Sequence, residues 1–441
     1  MTNGKRIVLS TFGSFGDIHP YVAIALELKA RGHRPVIATS EVYREKMDVA
    51  GIEFVPIRPN MPSYEEPDKL IKLSNDLIDP KTGTERVMEL FTSNLREVYE
   101  DLNAAVEGAD LLVTHLLPLV GPVVAQKRGL PWVSTVLAPI SFFSAYEPPV
   151  APQMPSLYHF VKLSPVLGRL FRRIAEYRMD QMLKTVYRLR EELGLPRGEQ
   201  PLLNGQHSPQ RVLALFSSAI GQPQPDWPPN TRVTGFAFYD KRDYVGETEM
   251  QPELLRFLDN GPPPIVFTLG SSAFWVAENF YRDSLKAAQV LGRRAVLLIG
   301  HQRNMPGDSL PPGIAAFEYA PFEQVFPRAA AIVHSGGIGT TGQALKSARP
   351  QLVVPHAHDQ FDNAARVVRM GCGRSLLRPR YNATSATKEL AALLGDRNYS
   401  TRAGEVGLQV QKEKGAAEAA DAIEELLTPE RMRELEHVAG H

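Results

Sequence analysis

The stretch AAIVHSGGIGTTGQALKSARPQLVVPHAHDQFDNA, Ala330 to Ala364, constrains this chain more than any other. Ala331 to Val333 reads as a short buried strand with His334 at its end. Ser335, Gly336, Gly337 and Gly339 form a turn, and Thr340 and Thr341 open a helix. Glycine lets backbone approach a ligand closely, and the free N–H groups and positive end of the new helix converge on the same spot. The element is therefore an anion site suited to a diphosphate. His334 is placed to add a donor. Gln351 to Val354 reads as a second strand, broken by Pro355. After it come His356, His358, Asp359, Gln360 and Asn363, a group of polar side chains suited to sugar hydroxyls.

The same logic recurs along the chain. Arg6 to Thr11 reads as a buried strand, and TFGSFGDIHP leads into a helix with Pro20 expected in its first turn. Strands are expected near 35–39, 53–56, 110–114 and 132–137, the alternation of a parallel α/β sheet. Pro59 to Thr84 reads as an exposed loop with one short helix, and Leu90 to Val106 as a helix. Ile265 to Leu269, followed by Gly270, Ser271 and Ser272, repeats the opening pattern. A chain of 441 residues with 43% hydrophobic content is long enough for two such units. The expected division is 1–222 and 223–415, with a proline-rich linker over 221–264 and a closing helix over 416–441.

The pattern H-x-G-G-x-G-T-T, a proline and then D-Q-x-x-N-A resembles the nucleotide-sugar signature of the family 1 glycosyltransferases. That family has the GT-B fold, two Rossmann-like domains facing across a cleft. The resemblance implies that His334 contacts the diphosphate, that Ser335 to Thr341 bind phosphate, and that Asp359 with Gln360 holds sugar hydroxyls, with His358 and Asn363 beside them. It also implies a phosphate donor at Ser271 and a ring over the nucleobase at Tyr319, with Phe322 as rival. The closing helix is expected to return to the N-terminal domain. Plant members carry a Trp and a ribose-binding Glu where this chain has Gly337 and Gly342. The match is closer to bacterial antibiotic, rhamnolipid and sterol transferases. Transfer to a hydroxyl needs a base, and Asp17 and His19 compete for that role in Gly16-Asp17-Ile18-His19-Pro20. Alignment on Gly16 and Pro20 favours Asp17. His115, ending the LLVT strand, is a candidate partner that orients it in a reversed Asp–His dyad. The implied reaction is an inverting, metal-independent transfer of a hexose from a UDP- or dTDP-sugar to an apolar hydroxylated acceptor, with no cofactor beyond that co-substrate.

Other readings are weighed by chemistry. Gly337, Gly339 and Gly342 spell a dinucleotide fingerprint, but its acidic residue belongs at the end of the second strand, and here Pro355 and further residues intervene before Asp359. A nucleotide-sugar epimerase would need no acceptor cleft, and a non-catalytic binder would have no use for Asp17. His356 and His358 resemble a metal pair but read more simply as loop residues, and no Asp-x-Asp metal hook occurs. Equal counts of 49 basic and 49 acidic residues give no support for nucleic-acid binding. A single cysteine, Cys372, excludes an intrachain disulfide, and MTNGKRIVLS has no long apolar core, which points to the cytoplasm. Phe274 and Trp275 fit either a cleft wall or a core. Arg169, Arg172, Arg173, Arg178, Arg188 and Arg190 lie on long helices, a pattern that fits a solvated face or a weak peripheral membrane contact.

Overall fold

In the computed structural model the described residues are 4–63, 65–152, 155–239 and 250–428. Seven strands make the first sheet: β1 (Arg6–Ser10), β2 (Arg34–Thr39), β3 (Glu53–Pro56), β4 (Leu111–Thr114), β5 (Trp132–Val136), β6 (Val212–Ala214) and β7 (Thr231–Val233). Six make the second: β8 (Ile265–Thr268), β9 (Ala295–Leu298), β10 (Ile314–Phe317), β11 (Ala331–His334), β12 (Gln351–Val353) and β13 (Gly373–Ser375). Central strands such as β4, β8, β9 and β11 are buried along their whole length, as expected where helices cover both faces of a parallel sheet. Strand order is β3-β2-β1-β4-β5-β6-β7 in one sheet and β10-β9-β8-β11-β12-β13 in the other, a doubly wound arrangement built twice. In each, the order reverses beside the first strand, between β1 and β4 and between β8 and β11. The crevice outside the carboxyl ends of those strands is where such sheets bind ligands.

The closing helix, Gly415–Glu424, packs Ala419, Ala420 and Ile423 against the Phe15–Ala30 helix of the first sheet. Arg31 meets Glu424 at 2.6 Å, His33 meets it at 2.8 Å, and Arg232 meets Glu418 at 2.8 Å. The last residues of the expected closing segment, 429–441, lie outside the described residues.

Several local expectations are corrected. The first helix starts at Phe15, so Pro20 lies inside it rather than in its first turn. Proline has no N–H to bond the Gly16 carbonyl four residues back, and the glycine turn, not the proline, sets the helix start. Thr231–Val233, within the stretch expected as linker, supplies β7. The helix expected from 90 to 106 is two helices, Gly83–Ser93 and Leu95–Ala105. The region expected as an exposed loop with one short helix has that helix at Pro67–Leu77, 11 residues long, but it is not all exposed. Leu70 and, just beyond it, Ile78 are buried among Trp275, Ala277 and Phe280 of the second unit. Phe274 and Trp275 belong to that same core, with ring centroids 4.5 Å apart.

Candidate active site

The strand–turn–helix element forms as its residue types demand. Gly336 has φ +90°, and a Cβ there would sit 2.7 Å from Val353 Cγ1, so only glycine fits the turn. The helix Ile338–Lys346 follows, with Gly337 as its N-cap. The N–H groups of Ile338, Gly339 and Thr340 in its first turn have no acceptor within the helix, as at every helix start. Thr341 turns its hydroxyl back to the Gly337 carbonyl at 3.0 Å. Ser335 Oγ donates to the Leu269 carbonyl at 2.9 Å, which ties the turn to the loop after β8. In that loop Gly270 has φ +68°, and a Cβ there would lie 3.1 Å from Thr340 Oγ1. Ser271 is half-buried in the short helix Gly270–Ala273. Hydroxyls and helix-start N–H groups from two loops thus converge at the carboxyl ends of β8 and β11.

His334 differs from its expected role. Its ring is fully buried, Nδ1 accepts from the Gly336 N–H at 3.0 Å, and Nε2 meets Gln351 Oε1 at 2.9 Å. Accepting at Nδ1 leaves the proton on Nε2, which donates to Gln351. Burial pushes the imidazole down to about 4, so the ring is neutral. Both nitrogens are used inside the fold. The ring holds the turn in shape and, in this geometry, offers the ligand no donor of its own.

Gln360 is likewise turned inward. Its Oε1 accepts from the His356 and Ala357 N–H groups at 2.8 and 3.1 Å, which shapes the loop after β12. Asn363 donates through Nδ2 to the Gly336 carbonyl at 2.9 Å and to Asp359 Oδ2 at 2.7 Å, joining the loop to the turn. Asp359 is at the N-cap of the helix Gln360–Arg369. Loss of water pushes its carboxyl up to about 7, against the Asn363 hydrogen bond and with the help of the nearby Asp17 charge. His356 is buried, with Nδ1 against the Val354 carbonyl at 2.8 Å. His358, at φ +52°, reaches the first unit instead: a Cβ on Gly83 would lie 3.6 Å from its Cε1, and the Leu77 carbonyl is its hydrogen-bond partner.

On the facing side, Asp17 is the third residue of the Phe15–Ala30 helix, in a capping box with Ser14. Its Oδ2 accepts from the Ser14 N–H at 2.8 Å and the Ser14 hydroxyl at 3.3 Å. Gly13, at φ +142°, leaves room for it, since a Cβ there would fall 2.2 Å from Oδ2. Desolvation pushes the Asp17 carboxyl up to about 6 despite these hydrogen bonds. His19, two residues on and so about 200° round the helix, stacks on Phe15 at 5.3 Å and packs on Tyr239. The expected direct pairing of His115 with Asp17 is not among the described hydrogen bonds. Thr11 stands between them, its hydroxyl 3.4 Å from His115 Nδ1 and 3.3 Å from the Asp17 backbone carbonyl. Burial pushes His115 down to about 4.

The two sides meet. A Cβ on Gly339 would lie 3.6 Å from Gly16 Cα, so the helix starts of the two units abut. This places Asp17 opposite Asp359 and the glycine turn. Tyr319 is 38% exposed, whereas its rival Phe322 stacks on Phe326 at 4.4 Å. Asp362 and Arg366 were not anticipated from the sequence. Both are buried and bond at 2.6 Å, Asp362 accepts from the Val150 N–H at 3.1 Å, and Arg366 reaches Glu147 and the Ile220 carbonyl, each at 2.9 Å. Their spacing, i and i+4 on a helix, was the only signal available. Among the described residues no cluster of three or more His, Cys, Asp or Glu could hold a metal ion.

Residues 7–120 match the glycosyltransferase family 28 N-terminal domain, and residues 284–426 match the erythromycin biosynthesis protein CIII-like C-terminal domain. The chain is 30% identical over 436 residues to O-mycaminosyltylonolide 6-deoxyallosyltransferase of Streptomyces fradiae, covering 95% of this chain and 97% of that protein. It is 26% identical to sterol 3-beta-glucosyltransferase of Leptosphaeria maculans over 95% of this chain, but spans only 28% of that longer protein. The crystal structure of the glycosyltransferase VinC in complex with DTDP superimposes with a TM-score of 0.65 at 17% identity, covering 99% of each chain. With two doubly wound units facing across a shared cleft and this likeness along nearly its whole length, the chain belongs to the family 1 glycosyltransferases of GT-B fold, and is an enzyme of their antibiotic and sterol type.

Proposed function

We propose that the enzyme moves a hexose from a UDP- or dTDP-sugar to a hydroxyl of an apolar small molecule, with inversion and without a metal ion. The observation that carries this reading is Asp17: a carboxylate poised at about 6, across the cleft from the anion site and Asp359. A base of that pKa is ionised at neutral pH yet more basic than a free carboxylate. In the proposed step the acceptor oxygen attacks the anomeric carbon from the face opposite the diphosphate, and Asp17 takes its proton. The bond to the diphosphate breaks, and the new negative charge is met by the helix-start N–H groups with the Thr340 and Ser271 hydroxyls. Asp359 and the Nε2 of Gln360 hold sugar hydroxyls, and Tyr319 covers the nucleobase. The VinC complex with DTDP supports a nucleotide donor of this class.

Acceptor-dependent release of nucleotide, followed with a panel of UDP- and dTDP-sugars, tests the reading, and turnover is expected to be unchanged by EDTA. EDTA inhibition reversed by Mg²⁺ would refute the metal-free step, and conversion of the donor without any acceptor would favour an epimerase. Asp359→Asn is expected to raise the KM for the intact donor about tenfold, as loss of a charged hydrogen bond would. The Kd of the free nucleoside diphosphate should stay unchanged. Equal weakening of both ligands would remove Asp359 from the sugar.

A further inference from the structure

The helix Pro165–Met182 carries an apolar stripe that faces away from the protein. Val166, Leu170, Ile174 and Tyr177 are 62%, 55%, 54% and 70% exposed, and Leu163, in the preceding turn, is 72% exposed. At about 100° per residue these positions, with Leu167, cluster within roughly 100° of the helix circumference. The opposite side is the packed one: Gly168 lies against the Ala145 carbonyl, and Met179 and Met182 join the core of the first unit. Isolated exposed apolar residues are ordinary, but a continuous stripe at helical spacing marks a surface that binds something.

The charges beside the stripe indicate what it binds. Arg169, Arg173 and Arg178 are exposed along its two edges and make no ion pair among the described residues, whereas Arg172 reaches Asp226 at 3.8 Å. A cleft of about 460 Å³ opens beside the stripe, outside the candidate active site. Arg169, Arg172 and Arg173 line it, with Glu176 and Asp226 as the acidic groups. The chain as a whole is electrically neutral, so this positive field is local. A second copy of the chain docked about a twofold axis would set this arginine-edged face against itself, a crowding of like charge that disfavours association. We propose that this face docks on an anionic lipid surface, with the stripe entering the acyl boundary and Arg169, Arg173 and Arg178 meeting headgroup phosphates. The proposal is independent of the transfer reaction, because binding is read without turnover.

The test is co-sedimentation of the full chain with vesicles of phosphatidylcholine alone or mixed with phosphatidylglycerol. Wild type is expected to pellet with the mixed vesicles and to stay in solution with the neutral ones. Leu170→Glu with Ile174→Glu, and separately Arg169→Glu with Arg173→Glu, should each lower the partition coefficient about tenfold or more, as should high salt. Unchanged thermal melting will show that these surface variants fold. Failure of wild type to pellet with anionic vesicles overturns the proposal, as does equal pelleting of the Leu170→Glu, Ile174→Glu variant. A concentration-dependent dimer that this variant abolishes, with no vesicle binding by wild type, assigns the face to a second copy instead.

Discussion

Asn in place of Asp17 is expected to lower kcat by about 10²–10⁴-fold, the range a positioned general base contributes. Donor affinity should be nearly unchanged, because the role proposed for the carboxylate is at the acceptor oxygen rather than at the diphosphate. The Asn Oδ1 still accepts from the Ser14 N–H that Asp17 now holds at 2.8 Å, so the helix start keeps its cap and the loss reports chemistry. In wild type, kcat/KM should rise with pH through about 6 as Asp17 ionises, and that limb should vanish in the variant. Stability should move the opposite way. The folded carboxyls of Asp17 and Asp359 sit at about 6 and about 7, above their ordinary value of 3.8, so the folded state holds more protons than the unfolded chain between those values. Their contribution to stability is therefore full below pH ~4 and is lost as pH rises through about 6 to 7. Asp17→Asn should raise Tm at pH 7.5 and change it little at pH 4. His115→Ala is expected to reduce kcat much less than Asp17→Asn, because its Nδ1 meets Thr11 rather than the carboxylate. A steep loss at His115, non-additive with Asp17→Asn, would restore the direct dyad.

Asp362→Ala is expected to destabilise the protein by about 3–5 kcal/mol, the range for removing one partner of a buried ion pair. Arg366 is only 2% exposed, and the substitution leaves its guanidinium with Glu147 and the Ile220 carbonyl alone. The Val150 N–H also loses its acceptor. Replacing both charges, Asp362→Leu with Arg366→Leu, should recover much of that loss, because the penalty lies in the stranded charge rather than in the value of the pair. Urea unfolding of the three variants measures this. Asp362→Ala within about 1 kcal/mol of wild type would mean that water reaches the pair. The pair joins the Gln360–Arg369 helix of the second unit to residues 147–150 of the first.

The two β–turn–helix units and their parallel sheets were legible because local chemistry decides them. Gly336 can hold its turn where no other residue fits, the start of the Ile338–Lys346 helix exposes N–H groups whatever lies around it, and Ser14 with Asp17 caps a helix from within four residues. The direction of individual side chains was not legible. His334 and Gln360 are the residue types that hold diphosphate and sugar in the family, yet His334 bonds Gln351 on the neighbouring strand, and Gln360 spends its carbonyl on its own loop. His358 faces the Leu77 carbonyl, Leu70 and Ile78 leave their expected loop for the core of the second unit, and Asp362 caps the Val150 N–H some two hundred residues away. A buried polar group must find a partner, and a buried apolar one must lose its water. Which partner is within reach depends on segments that approach only when the two sheets close on one another.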